Sequence, residues 1–202
     1  MFIHIECLDV ASTSGKNVWI WILFPHLDIS NVVYLTLAAP CESHSVTLDD
    51  LTVNFSHLDR KALLASWAWK IGDTMQPILV AASGDVFVQS EIDESVSVLE
   101  TAAGKVSLVA KSPSEFSALL ANKKFVYDYF AVVMIADLLK SGQRLGKSQI
   151  FSFKVPPVLG GEYVLSNIEP TDVEVHFSIT GQIHEKVSRL PPGTKIQGVT
   201  IS

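Results

Sequence analysis

Apolar positions along this chain change period several times, and each change predicts a new element. After Ser56 they fall at Leu58, Ala62, Leu63, Trp67 and Ile71, a helical spacing. Ser56 and Asp59 sit three apart as in a capping box, and Gly72 is the stop. At that spacing Trp67 and Trp69 read as packing residues rather than a ligand-stacking pair. Four short β-rich runs follow at 78–82, 86–89, 96–100 and 106–110. Breaks at Gly84-Asp85, Asp93-Glu94 and Ala103-Gly104 come at hairpin spacing, which predicts an antiparallel meander. Such a sheet needs cover.

The cover is helical. Ser112-Pro-Ser-Glu115 puts Ser at a cap, Pro at the first helical position and Glu at the third, and it opens a helix through Phe116, Leu119 and Leu120. Residues 123–140 read as one longer, mostly buried helix through Phe125, Val126, Tyr129, Phe130, Val133, Met134 and Leu138, ended by Gly142 and Gly146. A strand is expected at 150–153 and another at 163–165. Pro170, Thr171 and Glu174 mark a last helix with Val173, Phe177, Ile183 or Thr180, Val187 and Leu190 inward. Pro191-Pro-Gly193 breaks it, and 196–201 is a closing strand. The order gives an α+β fold: an antiparallel sheet of hairpins covered by helices, with a C-terminal helix and strand.

Composition narrows the class. The 202 residues are 48% apolar and 18% charged, enough to bury one ordinary core and too apolar for a disordered chain. A net charge of −6 argues against direct nucleic-acid binding and suits an acidic surface meeting a basic partner. Cys7 and Cys41 both fall early, so the remainder has no thiol or disulfide chemistry, as in a cytoplasmic protein.

Residues 1–45 read differently from the rest. Two dense apolar runs, 18–24 and 29–39, are separated by Pro25, His26 and Asp28, so neither reaches the length of a membrane span. Glu6 and Asp9 before the first run, and Pro40 before Cys41, speak against a signal or lipoprotein leader. Either this is a β-rich extension packed on a domain of residues 46–202, or the start is placed too early.

The most constrained stretch is Phe151-Ser-Phe-Lys-Val-Pro-Pro-Val-Leu-Gly-Gly-Glu-Tyr163. Pro156 and Pro157 fix φ and remove two donors, while Gly160 and Gly161 allow left-handed or closely approached backbone. The loop specifies a shape but carries no nucleophile, metal ligand or acid–base pair. Elsewhere the chemistry is equally sparse. His176 and His184, eight apart on one helix, lack cysteine neighbours, so no metal site is assigned. Asp172 and Glu174 are explained by a helix N-terminus. No nucleophile elbow or zinc-protease motif occurs, and Gly142-Gln-Arg-Leu-Gly146 does not reproduce a phosphate loop. No catalytic residue and no cofactor is expected. The acidic cluster Glu91, Asp93 and Glu94 falls at a hairpin tip, either a solvated turn or a prong for a basic cleft.

Val155-Pro-Pro-Val-Leu-Gly-Gly-Glu-Tyr163, followed by Asn167-Ile-Glu-Pro-Thr-Asp172 and Val175-His-Phe-Ser178, resembles the C-terminal domain of type VI secretion immunity proteins, a domain found beside or within GAD-like proteins. Gly181-Gln-Ile-His-Glu185, Leu190-Pro-Pro-Gly-Thr194, Trp67-Ala-Trp69, Pro77-Ile-Leu79 and Gly84-Asp-Val-Phe87 are similar in turn, so the resemblance runs over roughly residues 46–202. It implies a cytoplasmic, non-catalytic protein that binds and neutralises a cognate secreted toxin, in at least one lineage a DNase. Partner contacts would then come from Glu91, Asp93, Glu94, Pro156, Pro157, Gly160, Gly161 and Tyr163. The alternatives are a regulatory or small-ligand-binding module, whose loop would line a deep pocket floored by Tyr163 and His176, and a hydrolase with an unrecognised site.

Overall fold

The computed structural model describes residues 3–4, 35–37, 44–191, 193, 194 and 196. Strands β1 (Ile3–His4), β2 (Leu35–Leu37) and β3 (His44–Val46) form a small antiparallel sheet. Helix α1 (Leu48–Leu51), opened by a capping box between Thr47 and Asp50, leads into β4 (Thr52–Val53). That two-residue strand is too short to show a period, and the sequence gives no sign of it.

Helix α2 (Arg60–Leu63), a 3-10 turn (Ala65–Trp67) and α3 (Ala68–Ile71) replace the single helix expected over this stretch. Asp59, not Ser56, is the cap, accepting from the Lys61 and Ala62 backbone N–H groups at 2.9 and 3.3 Å. The turn carries Trp67 into the core and sets the Ser66 carbonyl against Gly181, where a Cβ would collide with it.

The hairpins lie where the alternation places them: β5 (Met75–Ala81), β6 (Val86–Ser90), β7 (Val96–Glu100) and β8 (Lys105–Ala110). With β4 on one edge they make a five-stranded antiparallel sheet in the order β4-β5-β6-β7-β8. Val86, Phe87 and Val88 are all fully buried, and successive strand residues point to opposite faces, so the sheet is a middle layer.

Ser112 caps α4 (Pro113–Leu120) as expected, accepting from the Glu115 N–H at 3.2 Å, while the Glu115 carboxylate receives the Lys111 N–H at 2.7 Å. The single helix expected over 123–140 is instead two, α5 (Lys123–Tyr129) and α6 (Val132–Lys140). Between them Ala131 takes a left-handed conformation (φ 48°, ψ 40°). The break has a packing reason. It turns the chain so that Phe125 and Val126 on α5, Phe130 at the joint, and Ile135 and Leu138 on α6 are all buried. Phe87 is the hub of that layer, with ring centroids 5.0 Å from Phe116, 5.3 Å from Phe130 and 6.0 Å from Phe125.

Strands β9 (Gln149–Phe153) and β10 (Ile168–Asp172) form an antiparallel ribbon from Phe153↔Ile168 to Gln149↔Asp172. The strand expected at 163–165 thus lies further on, and Pro170 sits inside β10 rather than opening a helix, tolerated because β10 is an edge. Asp172 caps α7 (Val173–Ser188), accepting from the Glu174 and Val175 N–H groups at 2.9 and 3.2 Å. Val173, Phe177, Thr180 and Ile183 face inward as expected, joined by His176 and His184, whereas Leu190 is exposed. The strand expected over 196–201, both cysteines and most of residues 1–45 lie outside the described residues.

Replacing Phe87 with Ala should cost about 3–5 kcal/mol by removing the ring on which the α4–α6 layer packs, measured by urea unfolding. Ala131→Gly should instead gain roughly 0.5–1 kcal/mol by relieving the left-handed alanine.

Candidate functional site

The β9–β10 connection is fixed by its own hydrogen bonds. Asn167 is the hub: its Oδ1 accepts from the Val155 N–H at 3.0 Å, and its Nδ2 donates to the Val155 and Glu162 carbonyls, both at 2.9 Å. Pro157–Leu159 form a 3-10 turn that Gly160 ends at φ 92°. Gly161 then passes so close to the Val155 carbonyl that no Cβ fits. With the backbone tied inward, the apolar side chains point out. Tyr163 is 70% exposed and rests edge-on against Phe153, at 5.0 Å between ring centroids, flanked by exposed Val155, Val164 and Leu165. The loop is therefore a rigid apolar surface, and Tyr163 floors no pocket.

Beneath Pro156 and Pro157 lies a buried polar network that no sequence motif announces. His176 on α7 shares its Nε2 between the Gly84 carbonyl (3.2 Å) and Thr101 Oγ1 (3.1 Å), and its Nδ1 meets Ser152 Oγ at 2.8 Å. A carbonyl only accepts, so Nε2 carries the proton and Nδ1 accepts from the serine. Asp85 completes the group, accepting from the Thr101 N–H at 2.9 Å and the Ser83 hydroxyl at 3.1 Å. The void among these groups and the two prolines is about 20 Å³, room for one water and no substrate. A serine–histidine contact sealed in this way holds α7 to the sheet; it has no space in which to attack anything.

The two histidines do not converge on a metal. Each enters a gap left by a glycine at a hairpin turn: His176 at Gly84, where a Cβ would stand 2.7 Å from Nε2, and His184 at Gly104, where one would overlap the ring. His184 also packs on Trp67, with ring centroids 5.2 Å apart. Among the described residues no three metal-binding side chains cluster.

Burial pushes the His176 pKa down to about 4, partly opposed by its bond to Gly84, and lowers His184 for the same first reason. Burial raises Asp85 to about 6 against the hydrogen bonds from Thr101 and Ser83, with Glu100 adding repulsion. The two strongly shifted groups oppose one another in linkage. His176 stabilises the fold fully above its unfolded value, and that stability is lost as pH falls from about 6.5 toward 4. Asp85 stabilises the fold fully below its unfolded value of 3.8, and that stability is lost as pH rises toward 6.

The acidic cluster lies elsewhere. The β5–β6 and β7–β8 turns stand at the network's end of the sheet, and the β6–β7 turn bearing Glu91, Asp93 and Glu94 stands at the opposite end. Ser90 Oγ accepts from the Ile92 and Asp93 N–H groups at 3.2 and 3.4 Å, and Asp93 Oδ1 accepts from Ser95 N and Oγ at 3.2 and 2.8 Å. Hydrogen bonding from Ser90 and then Ser95 holds the Asp93 carboxyl below the usual carboxylate range. Ile92 projects from the tip, 80% exposed. The sequence-derived contact residues thus form two groups, Pro156–Tyr163 and Glu91–Glu94, which the fold keeps apart.

The pair that a phosphate loop carries after its second glycine does occur here, as Lys147-Ser148. The glycine spacing is one residue short, and the chain runs from helix to strand rather than from strand to helix, so the loop does not lead into a helix as a phosphate loop does.

Between pH 7 and 4.5 the His176 loss, about 2 kcal/mol, should be largely offset by an Asp85 gain of similar size. Asp85→Asn removes the gain and keeps the hydrogen-bond geometry. Its stability should therefore fall more steeply on acidification than that of the parent in urea titrations at stepped pH.

Over 87% of its length this chain superposes on 84% of the crystal structure of Atu4351 from Agrobacterium tumefaciens, with a TM-score of 0.51 at 15% identity, a likeness of fold. No curated protein sequence matches the chain. Residues 110–184, from the end of β8 to His184, match the family described as T6SS immunity protein Tdi1, C-terminal, and so bear out the immunity-family resemblance read from the loop and α7.

Proposed function

We propose that this protein is a non-catalytic immunity protein that binds and neutralises a cognate type VI secretion effector in the cytoplasm. The observation that carries the reading is the family match over residues 110–184. That segment includes the whole β9–β10 loop with its exposed apolar side chains. A loop ordered before binding loses little entropy on docking, and an aromatic anchor ringed by aliphatic groups is the usual chemistry of an interface hot spot.

The effector in this reading is a nuclease with a basic cleft, to which the chain's net charge of −6 is complementary. Pro156, Pro157, Gly160 and Gly161 shape the anchor surface, and Tyr163 supplies its centre. Glu91, Asp93 and Glu94, at the far end of the sheet, act on encounter rate through their charge. Residues 46–202 constitute the immunity domain, with residues 1–45 as an extension. Inhibition is stoichiometric, without turnover. The sealed void at His176 and the outward Tyr163 weigh against the ligand-module and hydrolase readings of the same loop.

The experiment is co-expression with the protein encoded by the neighbouring gene. Growth rescue with a co-purifying complex is the expected outcome; a harmless neighbour, or rescue without a complex, contradicts the reading. Within such a complex, Tyr163→Ala should weaken binding by about 2 kcal/mol, roughly 30-fold, mostly through faster dissociation. Replacing Glu91, Asp93 and Glu94 with their amides should slow association and flatten its salt dependence. Surface plasmon resonance separates the two effects.

A further inference from the structure

An open groove of about 470 Å³ lies beside the free edge of β4, at the Gln149 end of β9 and away from the Pro-Pro loop. Its volume falls in the range of small-molecule sites. Val53, Leu145 and Phe151 give it an apolar floor. Two amides on its rim present donors, because internal bonds engage their oxygens. Gln149 Oε1 accepts from the Gly146 N–H at 2.8 Å, and Asn54 Oδ1 accepts from the Ser56 N–H at 2.9 Å. Each amide is thereby oriented with its NH2 group left for the groove.

Arg144 lines the same groove. Its Nη1 donates to the Leu139 and Gln143 carbonyls, both at 2.7 Å, which fixes the guanidinium at the end of α6 with its other N–H groups unspent. Lys147 makes no ion pair or hydrogen bond among the described residues. The bend that presents it is held on both sides. Ser148, a non-glycine at φ 60°, accepts the Val173 N–H on its carbonyl at 2.9 Å and contacts His57 Nε2 through Oγ at 2.7 Å. Strained backbone of this kind concentrates at ligand clamps. Asp49 and Asp50 of α1 also line the groove, the latter accepting from Thr47 N and Oγ1 at 2.9 and 2.7 Å. The carboxylates come from α1 and the cationic donors from the α6–β9 connection, which gives the groove a polarity.

We propose that this groove binds a small anion with an apolar body, its carboxylate or phosphate oxygens held by Arg144, Lys147 and the Asn54 and Gln149 amides. The body lies on Val53, Leu145 and Phe151, and repulsion from the α1 aspartates confines the negative end to the α6–β9 connection. The inference is independent of effector binding, since it uses neither the Pro-Pro loop nor the acidic tip.

Calorimetric titration of the full chain with phenyl phosphate, phenylacetate and inorganic phosphate tests it. At least one aromatic anion should bind with submillimolar Kd, and inorganic phosphate about tenfold more weakly for want of a body. The tighter of the two aromatic anions identifies the group recognised. Lys147→Gln should weaken binding about tenfold or more, and Lys147→Arg should retain it. Lys147 is exposed, so its variants report on the site without disturbing the core. Failure of both aromatic anions to bind below about 5 mM, or binding unchanged in Lys147→Gln and in Arg144→Gln, would overturn the proposal.

Discussion

The seating of α7 is the constraint on which the rest of the molecule depends. An amphipathic helix usually meets a sheet through interlocking aliphatic side chains. Here two buried histidines enter gaps at two hairpin turns, gaps that exist because Gly84 and Gly104 have no side chains. A third close approach, Gly181 against the Ser66 carbonyl, pins the same helix to the turn that carries Trp67. Imidazoles at such positions need partners, and His176 finds them on three separate segments: Gly84, Thr101 and Ser152. Buried polar groups that are fully satisfied select one arrangement over sliding alternatives more strongly than aliphatic contacts do. The helix is therefore fixed in register, and the β9–β10 ribbon is fixed with it.

From that register follows the character of the loop above. Pro156 and Pro157 close over the network, Asn167 secures the backbone, and the apolar side chains have only solvent to face. A protein that presents ordered apolar surface at the end of a rigid ribbon is suited to capture by shape. One that buries its Ser152–His176 contact under two prolines is poorly suited to turnover among these groups. The acidic β6–β7 tip is rigid in the same sense, yet it stands at the other end of the sheet. The division suggests separate physical tasks: contact energy at one end and long-range attraction from the other.

Much of the scaffold is legible because its signals are local. The hairpins reveal themselves by alternation, and Ser112-Pro113 announces α4 through two adjacent residues. The break at Ala131 is hidden, since an alanine in the left-handed region leaves no mark in composition and is imposed by tertiary packing. Strand β10 is displaced from its expected place because the Pro170 that seems to open a helix belongs to an edge strand, where a missing donor costs nothing. The network at Asp85 is hidden for a different reason: Thr101 meets His176 across 75 positions of sequence, and Gly84 meets it across 92. The loop residues were identifiable as constrained, but their distance from the acidic tip follows from strand order, which no motif encodes. The groove's amide donors likewise depend on which amide oxygens are already occupied.

The account's central claim is neutralisation by stoichiometric binding. The most direct measurement is titration of the purified effector's activity with this protein at effector concentrations well above Kd. The account predicts a linear fall to near zero at one equivalent, with an inactive complex of fixed composition. Persistent activity at several equivalents would contradict it. So would inhibition by substoichiometric amounts that deepens with time, which would mark the protein as an enzyme acting on the effector or on its product.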